Sequence, residues 1–403
     1  MMYSLKWGVA SLFIFVGTIA NAQNEKHPSR KSLLETVEKR IKESASQYTF
    51  LMQELKPDRF PVTYYEDKGQ LVTSGSEPWV GGFYPGGLLY LYELTGDTLL
   101  YQEALRKMDV LKKEQFNITT HDLGFMMYCS FGNAKRLEPK PAYDSILVNS
   151  ARSLASRFNP KVGCLRSWDS DSSQFMVIID NMVNLELLFA ATKMTGDSSF
   201  YKIAVEHANT TMKHHFRPDY SSHHLVIYNP GNGEVRKKQT VQGASDSSAW
   251  ARGQAWGLYG YTVMYRETGD PLYLEQANRI GQFILNHPHL PADGIPYWDF
   301  DAEDIPAAPR DASAGAVICS ALLELSGYVE QPLSEIYLKA AEKMLQSLTS
   351  PTYFSDYGKN GGFLLRHGVG NYPRHADIDV PLIYADYYFI ESMARYKRMN
   401  ARY

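Results

Sequence analysis

A three-residue phrase returns three times along this 403-residue chain: Thr95-Gly96-Asp97, Thr195-Gly196-Asp197 and Thr268-Gly269-Asp270. Each copy ends an apolar run with helical spacing, and an alanine follows each aspartate by seven residues (Ala104, Ala204, Ala277). Glycine can take the left-handed conformation that stops one helix, and aspartate can accept the first free amides of the next. The phrase therefore predicts helix hairpins. Leu325-Ser326-Gly327, followed by Tyr337 and Ala340, is a looser fourth copy. The intervals are too uneven for a tandem solenoid array. Hairpins separated by long, variable inserts fit a closed toroid of paired helices whose inserts crowd one rim and build a site. An open helical scaffold is the competing architecture.

The rest of the chain is consistent with that plan. Residues 31–55 place Leu33, Leu34, Val37, Ile41, Tyr48 and Leu51 at helical spacing. The run from His223 to Tyr228, entering Asn229-Pro230-Gly231-Asn232-Gly233, predicts a short strand and turn, half of a hairpin. No low-complexity linker follows residue 30, so residues 23–403 are expected to form one domain. Residues 1–22 stand apart as a signal peptide. Lys6 precedes the apolar run from Trp7 to Ile19, and Ala20-Asn21-Ala22 gives a small-x-small cleavage pattern after Ala22. That run is short of the ~20 residues a membrane span needs, and no Cys follows the cleavage point to carry a lipid. The chain is expected to be exported to the periplasm with no membrane anchor. Cys129, Cys164 and Cys319 are odd in number and lack CxxC spacing, which predicts buried free thiols.

Composition excludes more than it names. With 41 Lys+Arg against 44 Asp+Glu the chain lacks the basic surplus of nucleic-acid binders. Its unusual content is aromatic: 28 Tyr, 18 Phe and 6 Trp, and rings line cores and sugar sites alike. No GxGxxG, P-loop or GxSxG phrase occurs, and no cofactor is expected. The adjacent histidines 214/215 and 223/224 point apart on a helix or strand and have no supporting acidic or Cys ligand, so no metal site is expected.

Three phrases could carry chemistry. In Ile178-Ile179-Asp180-Asn181-Met182-Val183, Asp180 stands at the mouth of an apolar helix. It could simply cap that helix, but position 183 is Val, so no capping box forms. Its apolar neighbours would desolvate the carboxylate and raise its pKa, as a general acid requires. His121-Asp122-Leu123-Gly124-Phe125 offers a second carboxylate before another apolar run, again with a cap as the simple alternative. Arg252, Trp256 and Tyr259 share one helical stripe and Gly253, Gly257 and Gly260 another. Three glycines in one helix cost roughly 1 kcal/mol each relative to alanine, which close helix packing would explain. An Arg beside aromatic rings could receive an anionic sugar, or could be an arginine stacked at the edge of the core.

Six phrases in order extend this reading. Trp79-Val80-Gly81-Gly82-Phe83-Tyr84-Pro85-Gly86, His121 to Phe125 and Ile179 to Asn184 come first. Ser248 to Gly257, Pro296-Tyr297-Trp298-Asp299-Phe300 with Pro309-Arg310-Asp311, and Tyr384-Ala385-Asp386-Tyr387-Tyr388-Phe389 follow. Together they resemble the unsaturated glucuronyl hydrolases of glycoside hydrolase family 88, over residues 75–395. The resemblance implies an all-α, (α/α)6-barrel fold with short β inserts at one rim. It implies removal of a 4,5-unsaturated uronic acid from the non-reducing end of lyase-generated oligosaccharides, expected to be glycosaminoglycan fragments, by hydration of the C4=C5 bond. Asp180 matches the catalytic aspartate and Asp122 its assisting partner. Trp79, His121, Trp168, His224, Gln242, Arg252 and Trp256 match sugar-holding positions. The expected partner is thus an anionic unsaturated oligosaccharide. The chain departs from the family pattern between Gly362 and Asp386, where His367-Gly368-Val369-Gly370-Asn371-Tyr372-Pro373-Arg374-His375 replaces small hydroxyl residues. Alternatives are a rhamnogalacturonyl hydrolase acting on pectin fragments and a non-catalytic oligosaccharide-binding barrel.

Overall fold

The computed structural model describes residues 30–401, so the signal-peptide expectation lies outside the described residues. Outer and inner helices alternate along the chain. Outer α1 (Arg30–Glu54) leads to inner α2 (Phe83–Thr95). Outer α3 (Thr98–Leu111) leads to an inner π-helix (Gly124–Gly132) that continues as α4 (Asn133–Leu137). Outer α5 (Pro141–Ala155) leads to inner α6 (Asn181–Asn184) and α7 (Glu186–Thr195). Outer α8 (Ser198–His215), inner α9 (Ala251–Thr268), outer α10 (Pro271–Asn286), inner α11 (Ala312–Leu325), outer α12 (Leu333–Leu348) and inner α13 (Ile383–Asn400) complete the circuit. The ring closes where α13 packs against both α11 and α2. Burial separates the layers: nearly every residue from Ala251 to Met264 and from Ala312 to Leu323 is buried, whereas α10 and α12 bury one stripe. A helix apolar all round belongs inside, and one with a single stripe belongs outside. This is an (α/α)6 barrel.

The hairpin phrase behaves as its chemistry dictates. Gly96, Gly196 and Gly269 are left-handed, with φ of 76°, 74° and 70°. Asp97, Asp197 and Asp270 each accept a hydrogen bond from the amide two residues on, at 2.8–2.9 Å. Ala104, Ala204 and Ala277 are fully buried at the helix contacts. The looser fourth copy differs: α11 ends without a left-handed glycine, α12 has no side-chain cap, and Ala341 rather than Ala340 is buried. A tyrosine also recurs in the outer helix of each hairpin (Tyr101, Tyr201, Tyr273, Tyr337), where it would pack the barrel; Tyr273 and Tyr337 are buried and Tyr101 is half-buried, but Tyr201 is exposed.

Each strand lies in a link from an outer helix to the next inner one, which puts all of them at one rim. They are β1 (Phe60–Tyr65), β2 (Gln70–Ser74), β3 (Phe158–Asn159), β4 (Cys164–Leu165), β5 (Phe175–Ile178), β6 (Leu225–Tyr228), β7 (Val235–Gln239), β8 (Gly368–Asn371) and β9 (Ala376–Val380). The sheets are antiparallel, β1 with β2, β3 with β4, β8 with β9, and the three-stranded β5-β6-β7. The strand expected at residues 223–228 is β6, and its turn leads into β7. The three cysteines are free and buried.

Candidate active site

Of the expected site residues, Trp79, Asp122, Asp180 and Arg252 converge because they sit at the N-terminal ends of inner helices, while Trp168, His224 and Gln242 come from the links that carry β4 to β7. Trp79 precedes α2, Asp122 precedes the π-helix, Asp180 precedes α6, Arg252 opens α9, Asp311 caps α11 and Tyr384 opens α13. Six helix starts at one rim turn their positive dipole ends toward the same space. Two glycines bring the elements close. A β-carbon on Gly260 of α9 would come within 2.5 Å of Met182 Cβ on α6. One on Gly124 would come within 2.5 Å of the Asn184 backbone, whose side-chain oxygen accepts the Phe125 amide at 2.9 Å. The helix carrying Asp180 is therefore wedged between the π-helix and α9. An apolar run was expected after Asp122; its π geometry, a conformation found frequently at functional sites, was not.

Asp180 occupies the cap position of α6 but does not cap it: its backbone is helical (φ −58°, ψ −28°) and its side chain makes no capping hydrogen bond. The turn is held by its neighbours instead. Ser167 Oγ donates to Asn181 Oδ1 and accepts from the Ile178 amide, both at 2.9 Å, and Asn181 Nδ2 donates to the Leu165 carbonyl at 2.9 Å. Burial, reinforced by the charge of Asp122, pushes the Asp180 carboxyl up to about 7. Arg252 and the Trp256 N–H oppose that rise without cancelling it.

Two buried histidines flank the carboxylates. His224 Nδ1 accepts hydrogen bonds from the amides of Val241 (3.1 Å) and Gln242 (3.2 Å), and its Nε2 stands 3.8 Å from Asp180 Oδ2. Desolvation, with help from Arg252, lowers its pKa to about 3. His121 Nδ1 donates to the Ser167 carbonyl at 2.9 Å, and its Nε2 lies 3.2 Å from Asp122 Oδ1. Asp122 Oδ2 in turn accepts from Thr120 Oγ1 at 3.2 Å.

The remaining expected residues are present at the rim, and two of them are engaged by other parts of the protein. Arg252 was expected to meet the substrate's anion. Its guanidinium is buried and donates to Asp311 Oδ2 at 3.0 Å and to the carbonyls of Val369 and Gly370, while it stacks over Trp250 and Tyr384. Gln242 Nε2 also donates to the Gly370 carbonyl, at 3.0 Å. Both side chains thus tie β8 over the site. Trp256 was expected to offer a ring face, but its ring is fully buried against Phe125 and Tyr388, and only its N–H is directed toward Asp180. Trp79, partly exposed, packs on Phe83, Phe125 and Tyr384. Trp168, also partly exposed, meets His224 edge-on at 6.2 Å. Trp250 escaped the sequence reading, although it lies two residues before Arg252; it packs against both His224 and Arg252. Within the departure at 363–386, residues 368–380 fold as the β8–β9 hairpin and Ile383 already opens α13.

A cavity of about 1230 Å³ lies toward the other ends of the inner helices and contains neither aspartate. Its charges are mutually satisfied: Arg266 pairs with Glu186 and Glu324, and Arg395 with Glu324 and Glu391. Among the described residues no group of His, Cys, Asp and Glu could hold a metal, and no helix is long and apolar enough to cross a membrane.

A ring of paired helices, with two carboxylates at one rim and one of them raised to about 7, has the make-up of a helical-barrel hydrolase. The model for Glycosyl Hydrolase Family 88 matches residues 56–398, and the chain belongs to that family. It is 47% identical over 323 residues to an unsaturated glucuronyl hydrolase of Formosa agariphila, covering 79% of this chain and 80% of that protein. An unsaturated chondroitin disaccharide hydrolase of Streptococcus pyogenes is 31% identical over 350 residues, 85% of this chain and 86% of that one. Among solved structures, an unsaturated glucuronyl hydrolase specific for heparin superposes with a TM-score of 0.89 at 46% identity, covering 91% of this chain and 98% of its own.

Proposed function

We propose that this enzyme removes the 4,5-unsaturated uronic acid from the non-reducing end of lyase-generated glycosaminoglycan fragments. The observation that carries the reading is a buried, uncapped Asp180 whose pKa of about 7 lets it hold a proton at neutral pH. The Asp180 carboxyl gives that proton to C4 of the enol ether, and positive charge develops at C5 and the ring oxygen. The carboxylate left behind, with Asp122 beside it, stabilises that charge. Asp180 then takes a proton from water as its oxygen bonds to C5. The resulting hemiketal opens and the aglycone departs, with no attack at the anomeric carbon. One carboxylate cycling between acid and base suffices, so the carboxylate-separation rule of ordinary glycosidases does not apply. The convergent helix N-termini favour an anionic uronate.

The test is loss of the enol-ether ultraviolet absorbance from unsaturated disaccharides of chondroitin, heparin and pectin origin. Turnover of the first two by wild type and none by Asp180→Asn supports the reading. Preference for the pectin fragment would move the enzyme to rhamnogalacturonyl substrates, and binding without absorbance change would make it a non-catalytic barrel. We also propose export to the periplasm after cleavage at Ala22, which the apolar run from Trp7 to Ile19 and the Ala20-Asn21-Ala22 pattern support. N-terminal sequencing of the cell-fraction protein, expected to begin at Gln23, tests it.

A further inference from the structure

With Arg252 committed to Asp311 and to the β8 carbonyls, the anionic substituents of the sugars beyond the cleaved bond need another cation. The β5-β6-β7 sheet supplies one. Its two faces differ. Val177, Val226 and Tyr228 point into one apolar cluster, and Met176, Ile178, Leu225 and Ile227 into another, against which Trp168 and Val241 pack. The second face begins at the site, because β5 runs directly into Asp180 and Trp168 flanks His224.

Strand register decides which cations share that face. Gln239 pairs with Leu225 and Lys237 with Ile227, so both lie on the Trp168 side. Lys238 pairs with Val226 and lies on the opposite side. Arg236 is the extra residue of a β-bulge between Ile227 and Tyr228, and its guanidinium donates to the Ser173 carbonyl at 2.8 Å. Lys237 is one strand repeat, about 7 Å, farther from the site than Gln239. Its side chain is 59% exposed, and its ion pair to Asp246, itself 56% exposed, is long at 4.0 Å. Such a pair holds a lysine weakly.

We propose that this face is an aglycone platform, on which sugars leaving the cleft pass Trp168 and present a sulfate to Lys237. The inference rests on the proposed function and names the substrate class that the same site prefers: fragments sulfated on the reducing side of the cleaved bond. An aromatic ring on an apolar sheet supports the sugar face, and a compact, mobile ammonium takes the anion.

Unsaturated tetrasaccharides with and without sulfate on the reducing-side sugars test it, using wild type, Lys237→Ala, Lys237→Arg and Lys238→Gln. For Lys237→Ala, KM on the sulfated substrate should rise about three- to fivefold, the scale of one exposed ion pair, while kcat and the unsulfated substrate stay unchanged. Lys237→Arg should restore KM. Lys238→Gln, on the other face, should behave as wild type. Equal sulfated-to-unsulfated ratios in Lys237→Ala and wild type would overturn the platform, as would an equal effect from Lys238→Gln, which indicates only a diffuse field. Calorimetric binding of the sulfated tetrasaccharide to wild type and Lys237→Ala decides the platform even if wild type hydrolyses nothing, an outcome that would instead defeat the proposed function.

Discussion

His224 Nε2 stands 3.8 Å from Asp180 Oδ2, while the other nitrogen of the same ring accepts two backbone amides. A nitrogen that accepts carries no proton, so in the neutral ring the hydrogen is on Nε2, facing the carboxyl. Burial keeps the ring neutral, with a pKa of about 3. The ring therefore offers Asp180 an N–H dipole rather than a competing acid. Nitrogen-15 chemical shifts should show His224 as the Nε2–H tautomer, unchanged between pH 5 and pH 8. A midpoint inside that window would contradict the assignment.

With Asp180 as the proposed proton donor, the pH dependence of the reaction follows from its carboxyl: the acid form would be the reactive one, so kcat/KM should fall as pH rises through about 7. The negative charge of Asp122 contributes to that high value. Asp122→Asn removes the charge, lowers the Asp180 pKa and shifts the alkaline limb toward acid pH, in addition to any loss of rate. A limb that stays in place in Asp122→Asn would show that the two carboxyls are not electrostatically coupled.

Stability carries the same signature with a definite sign. A carboxyl whose folded pKa is raised from 3.8 to about 7 binds its proton more tightly in the native state. That proton stabilises the fold below pH 7, and ionisation progressively destabilises it from about pH 4 up to pH 7 relative to a neutral residue. Asp180→Asn should therefore melt higher than wild type at pH 8, by up to a few kcal/mol, with the advantage vanishing near pH 4. Asp386 and Glu186, also raised to about 7 by burial, remain in both proteins and cancel from the comparison. Melting curves of the two proteins across pH 4–8 measure it. A constant difference would point to packing alone.

How much of this was legible depended on whether a residue's task is local. The Thr-Gly-Asp hairpins are encoded within a few residues, because a left-handed glycine and a capping aspartate act on the adjacent chain, and they emerged as read. The burial and raised pKa of Asp180 were also legible, since the missing capping partner at Val183 and its apolar neighbours are sequence-adjacent. The tasks of Arg252 and Trp256 were not. A guanidinium's partners here, Asp311 and the carbonyls of Val369 and Gly370, lie 59 to 118 residues away. Trp256 is enclosed by Phe125 and Tyr388 from two other helices. Periodicity gave the stripe they share but not what faces it. The π-helix was equally hidden, because its apolar run is compatible with either helical period.

The glycines of α9 allow the last prediction to separate close packing from helix propensity. Gly260 and Gly257 stand on one helix, and alanine would favour that helix at both by about 1 kcal/mol. Their surroundings differ. A β-carbon at 260 would come within 2.5 Å of Met182 Cβ and 3.1 Å of its carbonyl carbon, so backbone must move. One at 257 would meet the Phe216 ring edge at 3.2 Å, which a small ring shift accommodates. Gly260→Ala should cost about 1–3 kcal/mol in urea unfolding. Because Met182 sits two residues from Asp180, kcat should also fall under conditions where the variant is fully folded. Gly257→Ala should be close to neutral in both measurements. If the two variants lose equal stability and Gly260→Ala keeps full kcat, the contact between α9 and α6 does not position the carboxyl.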